Sequence, residues 1–262
     1  MPTAIGAHHP QLAAIRELHE ARTRRERATF FFEGPILLEE ALRSALRLDG
    51  VFATDAAYER SRPLLDPIER GGIPLWIVPD RALARLSDLE TPPCIIAIAP
   101  MHAVSLSTLL EGREPVLLLA GLNDPGNAGT LVRTAEAFGA SKVVFGRGGV
   151  DAYHPKVIRA AMGSLFRARI AFADGDEIVA AARAAGRPIV AADMDGEPLP
   201  TARLPANAIV AVGNERHGIR AWLPFADRTV TIPHQGPAES LNAAVAGSVL
   251  LYELSIQTRR PS

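Results

Sequence analysis

Six apolar runs of strand length, at 115–122, 142–145, 168–172, 188–192, 208–212 and 228–232, alternate with helical stretches through the second half of this 262-residue chain. A run that is apolar throughout has no polar face to turn to water, so it belongs to a strand covered on both sides, and strands separated by helices run parallel. The helices between and after them fall at 128–138, 155–162, 175–185, 220–225 and 239–258. Gly139, Gly163 and Gly186 stand just past the first three, where a residue able to turn left-handed closes a helix. The second half is therefore predicted to be an α/β unit on one parallel sheet.

Ahead of it, strands at 30–32, 50–53, 73–78 and 94–99 and helical stretches at 10–27, 35–46, 56–70 and 80–86 form a smaller α/β unit. Residues 100–114 lose periodicity, so the predicted domains are 1–105 and 106–262, each of ordinary domain size. With Lys+Arg 28 against Asp+Glu 29 the net charge is -1, which gives no global basic field to announce nucleic acid. A local one remains, because the stretch 10–27 carries Arg16, Arg22, Arg24, Arg25 and Arg27. Cys94 is the single cysteine and the seven histidines lack ligand spacing, so neither a disulfide framework nor a metal site is expected. The longest apolar stretch, 243–251, falls far short of the ~20 residues that span a bilayer, and the N-terminus does not read as a signal peptide. The expectation is a soluble, cytoplasmic protein without a membrane partner.

Three segments mark strand-to-helix junctions: Asn123-Asp-Pro-Gly-Asn-Ala-Gly-Thr-Leu-Val-Arg133, Gly213-Asn-Glu215 and Glu239-Ser-Leu-Asn-Ala243. Open α/β sheets bind ligands at such places, where strand ends leave a crevice and helix starts leave unpaired N–H groups. A nucleotide-like ligand is the first expectation. Asp124-Pro125-Gly126 reads as a turn and Asn127 as the N-cap of the helix that follows. Arg133 reads either as a phosphate contact or as a solvated face residue. Gly213 ends a strand, where the missing side chain lets a flat ligand approach the backbone. Glu215 and His217 read either as acid/base groups or as solvated loop residues. Ile232-Pro233 closes the last strand, and Ser240-Leu-Asn242 is expected in the first turn of a helix apolar nearly all round, buried in part against a second subunit. Gly121-x4-Gly126 is followed by Asn127-Ala128, without the Lys of a phosphate loop, and Gly126-x-x-Gly129 lacks the first glycine of a dinucleotide fingerprint.

Taken together, the segments resemble the three motifs of the SpoU (TrmH-like) ribose 2′-O-methyltransferases of the SPOUT class. Asn127 through Arg133 with Thr134-Ala135 and Phe138-Gly139 is similar to motif one, Gly213-Asn-Glu215 to motif two, and Ile232-Pro233 with Ser240-Leu-Asn242 to motif three. Pro155-Lys-Val-Ile-Arg159 with Met162-Gly163 matches a further stretch, and Phe32-Glu33-Gly34 with Leu86-Ser87 through Thr91-Pro92 resembles the substrate-binding domain of rRNA-directed members. The resemblance implies a C-terminal parallel-sheet SPOUT domain with a trefoil knot, preceded by a smaller ribosomal-protein-like α/β domain that binds RNA. It implies a homodimer paired through the catalytic domain, and S-adenosyl-L-methionine as cofactor at Gly213, Ile232 and Leu241. Arg133 would be the catalytic residue, aided by Asn127, Glu215, Ser240 and Asn242. The reaction implied is methylation of a ribose 2′-hydroxyl in rRNA. A tRNA ribose methyltransferase and a non-catalytic RNA-binding or ribosome-assembly protein on the same fold are the alternatives. His234, where the family often carries an apolar residue, is a departure.

Overall fold

The computed structural model describes residues 2–214, 218–235 and 240–259. The chain forms two compact units, Met1–Met101 with Tyr153–Phe166, and His102–Ala152 with Arg167–Ser262. The first therefore takes in a stretch that sequence places between two strands of the second.

In the first unit β1 (Thr3–Ala4), β2 (Thr29–Glu33), β3 (Gly50–Ala53), β4 (Leu75–Ile77) and β5 (Ile95–Pro100) form a sheet in the order β1-β4-β3-β5-β2. β5 is antiparallel to both neighbours. Its helices are α1 (Pro10–Glu17), α2 (Ala21–Arg27), α3 (Pro35–Arg43), α4 (Asp55–Arg60), α5 (Arg62–Arg70) and α6 (Asp80–Ala84). Successive strand side chains face opposite ways, and β2 uses this to serve two cores. Phe31 joins Ile15, Leu83 and Leu86 on one face, while Phe30 and Phe32 meet Tyr153 and Phe166 at 4.8 and 4.9 Å on the other. On that side Arg159 Nη1 also donates to Glu33 Oε2 at 3.0 Å. The predicted helix 10–27 is in fact two, because the chain turns at Leu18–Glu20. There the buried Arg24 folds back and donates to the carbonyls of Leu18 and His19 at 2.7 and 2.8 Å, satisfying the end of α1. The predicted helix 56–70 likewise breaks at Ser61, since Pro63 cannot donate within a continuous helix.

The remaining elements are α7 (Leu106–Leu109), β6 (Val116–Ala120), α8 (Pro125–Ala137), β7 (Lys142–Gly146), α9 (Pro155–Ala161), α10 (Ser164–Arg167), β8 (Arg169–Ala173), α11 (Gly175–Ala184), β9 (Ile189–Pro198), β10 (Ile209–Gly213), β11 (Arg228–Thr231) and α12 (Ala243–Arg259). α9 packs in the first unit. The six strands form one sheet in the order β11-β9-β10-β6-β7-β8, parallel at every pairing. From β6 the chain builds β7 and β8 on one side, then returns so that β10 lies between β9 and β6. Every position of β6 and β7 is buried, as continuous apolar runs require. β9 extends past the predicted 192 to Pro198, and its register against β11 shifts between Thr229 and Val230. The predicted helix at 220–225 is a set of turns and bends.

α12 packs on α8 and β10. A Cβ on Gly247 would lie 2.5 Å from Leu131 Cδ2 and 2.8 Å from Val212 Cγ2, so the approach requires glycine. Thr134 Oγ1 and Ser248 Oγ lie 3.1 Å apart, and Phe138 meets Tyr252 edge-on at 5.5 Å. At the N-terminal edge of the sheet the buried Arg187, just ahead of β9, donates to the carbonyls of Leu110, Glu111, Gly112, Glu114 and Asn207 at 2.7 to 3.4 Å. Burial pulls its pKa down, opposed by the Glu114 charge. Beside it Lys142 Nζ donates to Glu114 Oε2 at 2.7 Å and holds that carboxyl at about 2.

Candidate functional site

α8 begins earlier than its sequence suggests, and the shift changes what Asn127 does. Asp124, not Asn127, is the N-cap: its Oδ1 accepts from the Asn127 N–H at 2.7 Å. Pro125 sets this start, because its fixed φ and missing N–H suit the first helical position. Asn127 thus lies within the first turn, and its Oδ1 accepts from Asn242 Nδ2 at 3.0 Å. Asn242 in turn precedes α12 rather than sitting inside it. Its own Oδ1 accepts from the N–H groups of Ala244 and Val245 at 2.9 and 3.2 Å, as an N-cap does. Segments one and three are therefore tied cap to helix, across 115 positions of sequence.

The carboxyl ends of β10 and β11 and the middle of β9, at residues 192–195, open into a cavity of about 620 Å³. Val212, Ile219, Ile232 and Leu241 supply apolar walls, and Gly213 and Ser240 also line it. Segments two and three thus meet in one place, at strand ends, as expected of an open α/β sheet. The reason for glycine at 213 differs from the expected one. A Cβ there would lie 2.6 Å from Ile219 Cα, so glycine admits the loop that returns over the strand end and builds the apolar wall. His234 lies in the lining, its Nδ1 3.1 Å from the Ile232 carbonyl. The neighbouring strand ends of β6 and β7 are overlaid by Trp222, whose Nε1 donates to the Arg147 carbonyl at 3.0 Å.

Arg133 is exposed on α8 and makes no hydrogen bond or ion pair with any described residue. Glu215, His217 and Glu239 lie outside the described residues. Charge in the cavity wall comes from residues that motif reading passed over. Asp193 and Asp195 stand beyond the apolar part of β9, and Arg220 follows Ile219. Arg220 Nε donates to Asp193 Oδ2 at 2.9 Å, and Asp193 Oδ1 accepts from the Asp195 N–H at 3.3 Å. The rule that directed attention to strand ends also covered Asp193, which directly follows a predicted strand. Among the described residues no group of three or more His, Cys, Asp or Glu could hold a metal ion.

A parallel α/β sheet with a largely apolar, polar-tipped cavity at its strand ends defines a protein that binds a nucleotide-sized organic ligand. Residues 114–252 match the SpoU rRNA Methylase family, and residues 9–97 match the MRM3-like substrate binding domain. The chain belongs to the SpoU rRNA methylase family. It is 33% identical over 241 residues to the 23S rRNA (guanosine(2553)-2'-O)-methyltransferase RlmP of Bacillus subtilis, covering 91% of this chain and 93% of that one. An AdoMet-bound rRNA methyltransferase from Sinorhizobium meliloti superposes with a TM-score of 0.84 at 26% identity, over 96% of this chain and 97% of its own. The SpoU methyltransferase AviRb of Streptomyces viridochromogenes, solved with AdoMet, gives 0.83 at 26% identity, over 95% and 98%.

Proposed function

We propose that this protein transfers a methyl group from S-adenosylmethionine to a ribose 2′-hydroxyl of ribosomal RNA. The observation that carries the reading is the convergence of Gly213, Ile232, Ser240 and Leu241 on one cavity in a chain of this family. RlmP, matched over nearly its whole length, is named for the same chemistry. The cavity suits the cofactor: about 620 Å³ is ample for a nucleoside joined to an amino acid, with apolar walls for the base and charged groups for the zwitterion.

When bound, S-adenosylmethionine supplies an electrophilic methyl carbon on a sulfonium. The chain must align the ribose oxygen with it and manage the hydroxyl proton. A guanidinium has five N–H donors and no acceptor, so the role of Arg133 is electrostatic. It binds the neighbouring phosphate and stabilises the developing alkoxide while the S–CH3 bond breaks, S-adenosylhomocysteine leaves and the hydroxyl proton passes to solvent water. Asn127 and Asn242 lock the start of α8, the helix that carries Arg133, to the start of α12. Ser240, in the cavity lining, assists with the substrate, and Glu215 takes the assisting role that the family resemblance gives it.

The first unit, residues 1–105 in this reading, binds RNA through the exposed arginines of α1 and α2, whose contacts with phosphate release counterions. The second, residues 106–262, is the catalytic SPOUT domain with the family's trefoil knot. It pairs with a second copy through α12, where Val245, Val249 and Tyr252 are 50%, 37% and 51% exposed at helical spacing along one face. Among the described residues no helix is long and apolar enough to cross a membrane. Action on ribosomal RNA makes the cytoplasm its place of work in this reading. Mapping ribose methylation in RNA from cells with and without this protein tests the reading. One rRNA position should lose its 2′-O-methyl group, and an unchanged map would refute it.

A further inference from the structure

We infer that Arg220 is the anchor for the α-carboxylate of S-adenosylmethionine, an assignment that rests on the cofactor reading above. Arg220 is the single Arg or Lys among the described residues lining the cavity. Its guanidinium is held from one edge only, through Nε to Asp193 Oδ2 at 2.9 Å. Neither Nη group makes a hydrogen bond with any described residue, so four of its five N–H donors are unspent.

The anchor beneath it is fixed. The Asp193 side chain is only 17% exposed, against 69% for Arg220, and its second oxygen is occupied by the Asp195 N–H at 3.3 Å. A guanidinium pinned through Nε by a set-in carboxylate keeps its planar Nη fork directed away from that carboxylate. Such a fork matches a second carboxylate in bidentate geometry, which a lysine ammonium does not. The cofactor carries one anionic group, the carboxylate of its amino-acid part. The remaining lining charges suit the rest of that part: the Asp195 carboxylate, in the same wall, has the sign that receives the α-ammonium. Asp193 is thus a positioning residue that acts through Arg220, and Arg220 a specificity residue for the amino-acid end of the ligand.

Titration calorimetry on the full chain, without RNA, separates the possibilities when S-adenosylmethionine is compared with decarboxylated S-adenosylmethionine, which lacks only the group in question. The wild-type protein should prefer the carboxylated ligand by roughly ten- to hundredfold, the range for a charge-assisted hydrogen-bonded pair. Arg220→Gln should bring the ratio close to one while leaving affinity for the decarboxylated ligand unchanged, and Arg220→Lys should recover only part of it. Asp193→Asn should give an intermediate ratio. A ratio taken within one variant is insensitive to the fraction of folded protein. If Arg220→Gln keeps the wild-type ratio, the assignment is overturned while the cofactor reading stands. If the wild-type chain binds neither ligand, the cofactor reading fails and takes the assignment with it.

Discussion

At the N-terminal edge of the six-stranded sheet, Arg187 is buried and bonded to five backbone carbonyls, whereas at the C-terminal edge Arg220 is 69% exposed and bonded through one nitrogen. The same side chain serves two ends of one sheet in opposite ways. Around Arg187, itself in the loop before β9, the loops before β6 and β10 point carbonyls inward, and a cation that satisfies all of them joins the three loops into a floor. At the other edge, Arg220 retains donors that no described residue uses, and so does the exposed Arg133 on α8. Donors spent on backbone stabilise the fold, and donors left over are available to a ligand. This is why one edge reads as structural and the other as functional.

The contrast can be broken most directly at Arg187. Arg187→Ala strands the buried Leu110 carbonyl and four half-buried ones and should lower unfolding stability by about 3 kcal/mol in denaturant titration. Arg187→Lys should recover little, because an ammonium cannot reach five acceptors in a plane. Loss under about 1 kcal/mol would mean the cage contributes little. Arg133→Ala should show the reverse: methyl transfer down roughly a hundredfold or more with an unchanged melting temperature. Arg133→Lys measured across pH sharpens this, since full rescue at neutral pH would exclude a need for the planar fork. Asn242→Ala removes the α12 cap and its bond to Asn127, and should cost about 1 kcal/mol. Asn127→Ala loses the bond to Asn242 but leaves the α12 cap in place, so full helicity at the start of α12 should survive it and not Asn242→Ala.

The smallest effect is set by pH at the N-terminal edge. Lys142 holds the Glu114 carboxyl at about 2, below its ordinary 4.5. A depressed folded-state pKa contributes stability that is present above 4.5 and is lost as pH falls toward 2. Glu114→Gln should therefore be slightly less stable than wild type at neutral pH and lose less of its stability between those limits. Glu114 is largely exposed, so solvent screens the pair and the difference should be modest.

Much of this architecture is readable from apolar patterning, because β6, β7 and β10 are buried on both faces and leave continuous runs. β9 past Ala192 carries no such signal, since Asp193 to Pro198 are partly or fully exposed and only Glu197 and Pro198 among them pair, with the edge strand β11. Strand order is also absent from periodicity. Nothing in the runs themselves says that β10 inserts between β9 and β6. Asn127 reads as the cap by residue type, but Pro125 starts the helix three positions earlier than an Asn127 cap implies. Gly213 was rightly singled out for close approach, but the approaching group is Ile219. Arg187 gave no sequence signal at all, because its partners are backbone carbonyls that any residue type provides. The lining positions Gly213, Ile232 and Leu241 came from motif resemblance, which carries spatial information that spacing lacks.

Purified protein incubated with methyl-labelled S-adenosylmethionine and unmodified large-subunit rRNA tests the central claim most directly. Label should appear in alkali-stable dinucleotides, as a blocked 2′-oxygen requires, and should be lost with Arg133→Ala. Absence of label, or label confined to alkali-labile mononucleotides as base methylation would leave it, would contradict the account.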